Sequence, residues 1–165
     1  MLNFVDDYRK LTRLPAPKFE VIAIKDLLDD VAQLMSSQAS DQSIELRVEM
    51  PNNRLAVEAD RKMIEQNLIN LISNAMHALN GSGQGEITLG ARLTEYNLII
   101  SVQDNGPGIP EDILPSIFIP FFSTRKNGTG IGLTLSKNIM RLHKGSINVV
   151  SKPGEGSLFE LLFSI

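Results

Sequence analysis

Apolar and polar residues recur along the chain with two different periods, and each period predicts one kind of element. Helical spacing is clearest over residues 27–35, whose apolar side chains fall at i, i+1, i+4, i+7 and i+8. The predicted helices cover residues 2–14, 27–35, 61–80 and 131–143, with a short helix around 111–117. Strand-like runs between turn residues cover 19–24, 43–50, 55–59, 86–94, 98–104, 145–151 and 157–163. Since these elements do not alternate strictly, they predict an α+β two-layer sandwich, with helices on one face of a mixed sheet.

Composition excludes several classes of function without identifying one. The chain has 165 residues, 42% hydrophobic and 21% charged, which is ordinary for a globular domain. A net charge of −3 gives no basic footprint for nucleic acid or for an anionic membrane. The absence of cysteine excludes disulfides, zinc–thiolate sites and thiol nucleophiles. No apolar run reaches the roughly 18 residues that span a bilayer, and the start lacks a signal-peptide pattern.

The longest predicted helix carries polar residues on a face away from its apolar side. Asp60 is placed to cap its N-terminus, and glycines 81 and 83 follow its end. The polar row has the spacing i, i+3, i+7 and i+10 and consists of Asn67, Asn70, Asn74 and His77. Such a row is either a solvated helix face or a set of groups that meets one ligand. A carboxamide oxygen suits Mg²⁺, and Asn74 is the candidate to supply it if a nucleotide binds nearby.

Asp104 ends a predicted strand on the side that faces the core. It shares its parity with three apolar residues, Leu98, Ile100 and Val102. The segment that follows, Asp-Asn-Gly-Pro-Gly, is a turn signal in any protein, so a turn aspartate is one interpretation. The other is a carboxylate at the bottom of a pocket, accepting a hydrogen bond from an amino group such as that of adenine. Gly106 and Gly108 would then let the backbone pass close to a flat ring.

A glycine-rich segment, residues 127–133, leads into the last predicted helix. Its residues beyond 127 are Gly128, Thr129, Gly130, Ile131, Gly132 and Leu133. Glycines before a helix expose backbone N–H groups where the helix dipole favours an anion, so the segment could hold phosphate. Arg125 and Lys126 precede it and could reach phosphate oxygens. The spacing matches neither a P-loop nor a dinucleotide fold, and a flexible surface loop with solvated charges is the alternative.

Together and in this order, the motifs resemble the histidine-kinase branch of the GHKL ATPase superfamily. The segments that carry the resemblance are residues 70–75 (N box), 104–109 (G1 box), 117–124 (F box), 128–133 (G2 box) and 154–159, a last glycine motif before the final strand. It extends from about Phe19 to the end of the chain. The resemblance implies a Bergerat-type fold with a mainly antiparallel sheet of about five strands packed on three helices.

The resemblance also implies a role for individual residues. Asn74 would bind Mg²⁺, Asn70 would lie beside the triphosphate as the second catalytic residue, and Asp104 would bind the adenine amino group. Residues 118–130 would form the lid over ATP. The implied nucleotide-binding residues are Asn70, Asn74, His77, Asp104, Gly106, Gly108, Ile109, Phe118, Thr124, Arg125, Lys126, Gly128, Thr129, Gly130, Ile131, Gly132 and Leu133.

The chain has two histidines, and neither lies in a phosphoacceptor motif. His77 stands where members of the family often carry a basic residue, three positions after the magnesium-binding asparagine. One interpretation is a phosphate ligand that binds more weakly than that basic residue, or in a pH-dependent way. The other is a surface histidine. His143 lies at the end of the last predicted helix and is interpreted as structural.

The resemblance divides the chain into two parts. Residues 1–17 resemble the end of the second dimerisation helix and a linker, and 18–165 the ATP-binding catalytic domain. The helix that carries the phosphate-accepting histidine is expected to lie outside this chain, and the fragment alone is expected to be monomeric or weakly dimeric. A cytoplasmic location follows from the need for ATP, and membrane anchoring of a full-length protein is left open.

The implied function is donation of the γ-phosphoryl group of ATP to a histidine on the dimerisation helix, in two-component signal transduction. The partners would be ATP with Mg²⁺, the dimerisation helices and a response regulator, with no nucleic acid. One alternative is a GHKL-type ATPase, although those enzymes commonly place a glutamate where Asn70 stands. The other is a non-catalytic ATP-binding module.

Overall fold

The computed structural model describes residues 4–126 and 128–165. Residues 1–3 and 127, which the predictions included, lie outside these ranges. The helices are α1 (Phe4–Thr12), α2 (Ile24–Asp41), α3 (Arg61–Ala78) and α4 (Gly132–Leu142). The strands are β1 (Glu20–Ala23), β2 (Ile44–Glu49), β3 (Ala56–Ala59), β4 (Gly85–Leu93), β5 (Asn97–Asp104), β6 (Ser146–Ser151) and β7 (Ser157–Ser164).

Five strands form the main sheet in the order β2-β4-β5-β7-β6. The β2–β4 pair is parallel and the other three pairs are antiparallel, which confirms the prediction of a mixed, mainly antiparallel sheet. β1 and β3 pair antiparallel in a separate two-stranded sheet that the sequence pattern did not predict.

Three helices cover one face of the sheet. α2 packs on β2, α3 on β4 and β5, and α4 on β6. The largest fully buried side chains come from both layers and include Leu28, Leu68, Ile72, Ile87, Leu89 and Leu98. The core therefore lies between the helices and the sheet, and the predicted two-layer α+β sandwich is confirmed. Within the described ranges, no helix is long and apolar enough to cross a membrane.

One predicted element differs in type. In place of the short helix around 111–117, the chain makes turns and a single 3₁₀ helix, Leu114–Ser116. Pro115 has no N–H to donate to the carbonyl four residues earlier, and its ring clashes with that carbonyl inside an α-helix. The segment therefore stays irregular and follows the outside of the domain towards α4.

Asp60 caps α3 as predicted and also ties the incoming chain to it. One carboxylate oxygen accepts from the Met63 N–H at 3.1 Å, and the other accepts from the Lys18 N–H at 2.8 Å. Burial raises the pKa of the Asp60 carboxyl, but these backbone hydrogen bonds outweigh burial and hold the pKa below its ordinary value. The folded state therefore favours the ionised form.

Replacing Asp60 with alanine should lower the free energy of unfolding by about 1–2 kcal/mol near neutral pH, because a helix cap and a chain tether are lost. A depressed folded-state pKa gives stability that is complete above the ordinary carboxyl range and is lost as pH falls through the folded value. The difference between wild type and variant should therefore shrink in acid. Urea unfolding at a series of pH values measures it, with the exposed Asp41→Ala as control. A difference that stays constant into acid would contradict the assignment.

His143 joins three parts of the fold. Its Nε2 accepts from the Asp60 N–H at 3.0 Å, which leaves Nδ1 as the donor to the Ile139 carbonyl oxygen at 2.7 Å. Its ring packs edge-on against Phe19 and Phe163, with centroids 5.3 and 6.3 Å away. With both ring nitrogens bonded and two aromatic neighbours, His143 has the contacts expected of a structural histidine.

Candidate nucleotide-binding site

A cavity of about 430 Å³ opens between α3, the loop after β5, the segment before α4 and the first turn of α4. Its volume lies in the range of small-molecule sites. The predicted residues that line it are Asn74, His77, Asp104, Gly108, Ile109, Thr124, Arg125, Gly130, Gly132 and Leu133. Motifs that are far apart in the sequence therefore meet around one space.

Asp104 lies at the closed side of this cavity, at the end of β5. It is 6% exposed, on the same face of β5 as the buried Leu98, Ile100 and Val102, so the predicted parity is correct. Its Oδ1 accepts from the Gly106 N–H at 2.9 Å. Burial raises the pKa of the Asp104 carboxyl, and hydrogen bonds from the N–H groups of Gly106 and Ser157 offset only part of that rise. Burial therefore disfavours the ionised form of this carboxyl more than the two hydrogen bonds favour it.

Two close backbone crossings fix the loop that follows Asp104. Gly108 has a φ of +75°, and a Cβ there would overlap the Lys152 carbonyl oxygen. Gly156 has a φ of +82°, and a Cβ there would overlap the carbonyl oxygen of Asp104 itself. Both conformations suit glycine. The G1 segment and the last glycine motif are thus packed directly on each other, which sets the position of Asp104.

The polar groups of the site are spaced along α3. A Cβ at Gly106 would lie 3.6 Å from the Ala78 Cβ, so the Asp104 loop meets α3 at Ala78. Asn74 lies one turn earlier on the same helix and Asn70 one turn earlier again, about 5.4 Å per turn. The Asn74 Oδ1 accepts from Arg125 Nη2 at 3.3 Å, across the cavity mouth. His77 is exposed at the rim.

The far end of the cavity is closed by α4. Its N-cap residue, Ile131, makes no side-chain cap hydrogen bond, so the first-turn N–H groups have no such partner. Asn70 does not line the cavity. Its Nδ2 instead donates to the Gly132 carbonyl oxygen at 2.5 Å and to Ser136 Oγ at 3.0 Å. Asn70 thus contacts the backbone of α4 at Gly132, the last of the G2 glycines.

Several other predicted residues do not line the cavity. Phe118 is tied to α4, because its carbonyl accepts from Thr134 Oγ1 at 3.1 Å and Lys137 Nζ lies 5.8 Å from its ring centroid. Gly106 is buried beside Asp104, and Ile131 is buried at the start of α4. The remaining predicted residues outside the lining are Lys126, Gly128 and Thr129.

Sequence reasoning missed part of the lining. Apolar walls come from Ala75, Ala78, Pro107, Pro110, Ile113, Ile117, Phe122 and Phe159. Ser157 also lines the cavity and is 7% exposed. It pairs with Asp104 on the neighbouring strand β7. The glycine motif at 154–159 was the available signal, but only the β5–β7 register reveals that Ser157 neighbours Asp104.

Comparison with known proteins places this arrangement in a family. Residues 59–165 match the model of the histidine kinase-, DNA gyrase B-, and HSP90-like ATPases. The signal transduction histidine-protein kinase AtoS of Escherichia coli (strain K12) is 32% identical over 148 residues, which are 90% of this chain and 24% of AtoS. The chain spans about a quarter to a third of the length of the curated relatives it matches.

Solved histidine kinases have the same fold. The nucleotide-free catalytic domain of ThkA superposes with a TM-score of 0.80 at 32% identity, over 89% of this chain and 97% of that domain. ThkA in complex with the response regulator TrrA gives 0.80 at 28% identity, over 97% and 46%. Full-length ShkA in complex with AMPPNP gives 0.85 at 27% identity, over 96% and 34%. The chain therefore belongs to the histidine kinase-, DNA gyrase B- and HSP90-like ATPase family, as an ATP-binding domain of the sensor histidine kinase type.

Proposed function

We propose that this chain binds Mg-ATP in the cavity described above and, within a longer kinase, donates the γ-phosphoryl group to a histidine on a dimerisation helix. The observation that carries the proposal is the buried Asp104 carboxylate, which lines a cavity with apolar walls. The complex of the related kinase ShkA with AMPPNP supports a nucleotide as the ligand.

From the layout of the cavity we propose which residues of this chain would contact the adenine base and the phosphates. The Asp104 carboxylate would accept from the adenine amino group, and apolar residues such as Ile109 and Leu133 would enclose the base. The phosphates would extend along α3 towards Asn74 and the N-terminus of α4, which has no side-chain cap. Arg125, Lys126 and His77 are the nearby basic side chains that could neutralise phosphate charge.

The donor chemistry of the site fits Mg²⁺ better than a metal held by protein alone. Among the described residues, no group of three or more carboxylates, histidines or cysteines is placed to hold a metal ion. Mg²⁺ usually takes one or two protein oxygens together with water and substrate phosphates, and the Asn74 Oδ1 is one such oxygen. When bound, the ion would neutralise phosphate charge and polarise the γ-phosphoryl group. Arg125 would have to release that oxygen first.

We propose that neither histidine of this chain is the phosphoryl acceptor, because His77 and His143 both lie outside a phosphoacceptor motif. Both ring nitrogens of His143 are occupied within the fold. Phosphoryl transfer needs mainly positioning and charge neutralisation, which this lining could supply without a nucleophile of its own. We therefore propose that residues 1–17 are the end of a dimerisation helix with its linker, that 18–165 are the catalytic domain, and that the acceptor histidine lies elsewhere in the kinase. A need for cytoplasmic ATP would place this domain in the cytoplasm.

Contacts of α1 and the known complex of a relative suggest further partners. α1 already packs on α4, where Asn138 Nδ2 donates to the Leu11 carbonyl oxygen at 3.4 Å. A dimerisation helix continuous with α1 would thus approach the domain from the α4 side. ThkA is known in complex with the response regulator TrrA, and a response regulator is the proposed final acceptor here.

Calorimetry and radiolabelled ATP test the proposal directly. The isolated chain should bind Mg-ATP, should bind ATP more weakly after chelation of Mg²⁺, and should acquire no phosphohistidine by itself. Failure to bind Mg-ATP would refute the nucleotide assignment, and phosphohistidine on the isolated chain would refute the external acceptor. Substantial ATP hydrolysis would favour the ATPase alternative, against which Asn70 argues because an amide cannot act as a general base.

Replacing His77 with lysine should tighten Mg-ATP affinity about two- to fivefold, since a permanent ammonium at the cavity rim gains the attraction typical of an exposed ion pair. The gain should also persist at alkaline pH. Calorimetric titration of both proteins measures it. Gln66→Lys adds the same charge to an exposed position of α3 outside the lining. An equal gain in that control would show a general charge effect, in conflict with a phosphate contact at position 77.

A further inference from the structure

A row of polar groups lies between α3 and α4 and joins the two helices. We call it the polar seam, and it consists of Asn67, Asn70, Ser136 and the backbone of Gly132. Asn67 is 1% exposed and Ser136 is fully buried. The Asn67 Nδ2 donates to the Ser136 carbonyl oxygen at 3.4 Å, a long hydrogen bond. The Asn67 Oδ1 has no partner, and it is the one buried side-chain polar atom in that condition within the described residues.

Asn70 extends the same seam by one turn of α3. Its two hydrogen bonds from Nδ2, at 2.5 and 3.0 Å, both end on α4. The helices also approach closely here, because a Cβ at Gly132 would lie 2.5 Å from the Asn70 Oδ1. Each asparagine of the seam therefore contacts α4, and neither lines the nucleotide cavity.

Stability alone does not explain this seam. An unpartnered buried amide oxygen destabilises the folded state, and an apolar side chain of similar size would remove that penalty. Buried asparagines in coiled coils provide a precedent for another role, since one such residue fixes helix register at the expense of stability. At the α3–α4 contact, Asn70 bonds to the Ser136 hydroxyl, a group that a slip of α4 would move away from α3.

The register of α4 matters because its first turn forms one wall of the cavity. Gly132 and Leu133 of that turn line the wall together with Gly130, which precedes it. The first-turn N–H groups have no hydrogen bond from the N-cap side chain. α4 also holds the segment before it, through the hydrogen bond from Thr134 to the Phe118 carbonyl. A slip by one residue would rotate the helix by about 100° and remove all of these groups from their places.

We propose that Asn67 is a positioning residue: together with Asn70 and Ser136 it fixes the register of α4 on α3, and thereby the phosphate-side wall of the cavity. This inference rests on the proposed nucleotide site and adds a determinant of its affinity. Asn67 acts on the nucleotide only through α4. Its removal should therefore weaken binding without weakening the fold.

Asn67→Leu tests this separation of affinity from stability. The variant should resist urea at least as well as wild type, while its dissociation constant for Mg-ATP rises about tenfold, as expected if the competent register falls to about a tenth of the population. Calorimetry measures the dissociation constant, and urea unfolding measures the free energy of unfolding. Ile72→Val, in the core of α3 but outside the seam, is the matched control and should lower stability without changing affinity.

Two further measurements test the same role of the seam even if Asn67→Leu does not fold. Ser136→Ala removes only a hydroxyl that accepts from Asn70, and it should weaken Mg-ATP binding about threefold as the competent fraction falls. In the nucleotide-free protein, amide resonances of Gly130, Gly132 and Leu133 should broaden or split in either seam variant and stay single in Ile72→Val.

The outcomes separate this inference from the proposed function. If wild type does not bind Mg-ATP, the proposed function fails. If wild type binds and both seam variants match its affinity, the inference alone is overturned. A loss of stability in Asn67→Leu that parallels the loss of affinity would also overturn it, because Asn67 would then be a structural residue and no more.

Discussion

Replacing Asp104 with asparagine should weaken Mg-ATP affinity about 100-fold, the loss expected for a buried hydrogen bond to a charged group. Three donors would converge on the two carboxylate oxygens: the Gly106 N–H, the Ser157 N–H and the adenine amino group. An amide has one oxygen, and its NH₂ group would meet one of these donors. Calorimetric titration of wild type and variant measures the change, and ADP should show the same loss because the base is affected.

The same substitution should leave the nucleotide-free domain folded. A carboxyl whose folded-state pKa is raised binds its proton more tightly in the folded state than in the unfolded chain. Stability is therefore greatest below the ordinary carboxyl range and falls as pH rises through the folded pKa. Asp104→Asn removes that decline, so its unfolding free energy should approach or exceed that of wild type at neutral pH. Thermal unfolding of both proteins at a series of pH values shows the trend.

A matched control separates the contact from the loss of charge. Asp112→Asn removes a carboxylate from an exposed position in the loop beyond the cavity and should leave affinity unchanged. If Asp104→Asn bound Mg-ATP within about threefold of wild type, a difference smaller than one hydrogen bond, the adenine assignment would be wrong. A variant that lost both its fold and its affinity would point instead to a structural aspartate.

Features that depend on local sequence were predicted correctly. The capping role of Asp60 depends on residues three positions apart, and the burial of Asp104 follows from strand parity. Both are consequences of backbone geometry within a single element. For the same reason the bounds of most long strands and helices lie within a few residues of those predicted, with the exception of α2, which ends at Asp41, six residues beyond the predicted end.

Features that depend on contacts between distant elements were not predictable from one sequence. A helical wheel places Asn67 in the same polar row as Asn74, but α4 covers Asn67 and leaves Asn74 at the cavity. Which residue is covered depends on where α4 docks, and the Asn67–Ser136 contact joins residues 69 positions apart in the chain. The strand order and the neighbourhood of Ser157 and Asp104 likewise arise only when β5 and β7 pair.

The crossing at Gly156 gives the second large expected effect, because it joins fold and site. Replacing Gly156 with alanine should lower the free energy of unfolding by about 3 kcal/mol, the sum of strain at positive φ and overlap in a packed region. The new Cβ would overlap the Asp104 carbonyl oxygen and lie 3.0 Å from its carbon. Mg-ATP affinity should fall as well, since relief of that overlap moves Asp104. Urea unfolding and calorimetry measure the two losses.

Gly154 is a control with the same backbone conformation. Its φ is also +82°, but a Cβ there would meet nothing within 4 Å. Gly154→Ala should therefore carry the strain alone, about 1 kcal/mol, and keep its affinity. If Gly154→Ala and Gly156→Ala lost equal free energy of unfolding, backbone strain would account for both losses. The close approach of Gly156 to the Asp104 carbonyl would then not position Asp104. A larger loss at Gly156, accompanied by weaker nucleotide binding, would show that the last glycine motif serves the site by holding the adenine-binding carboxylate in place.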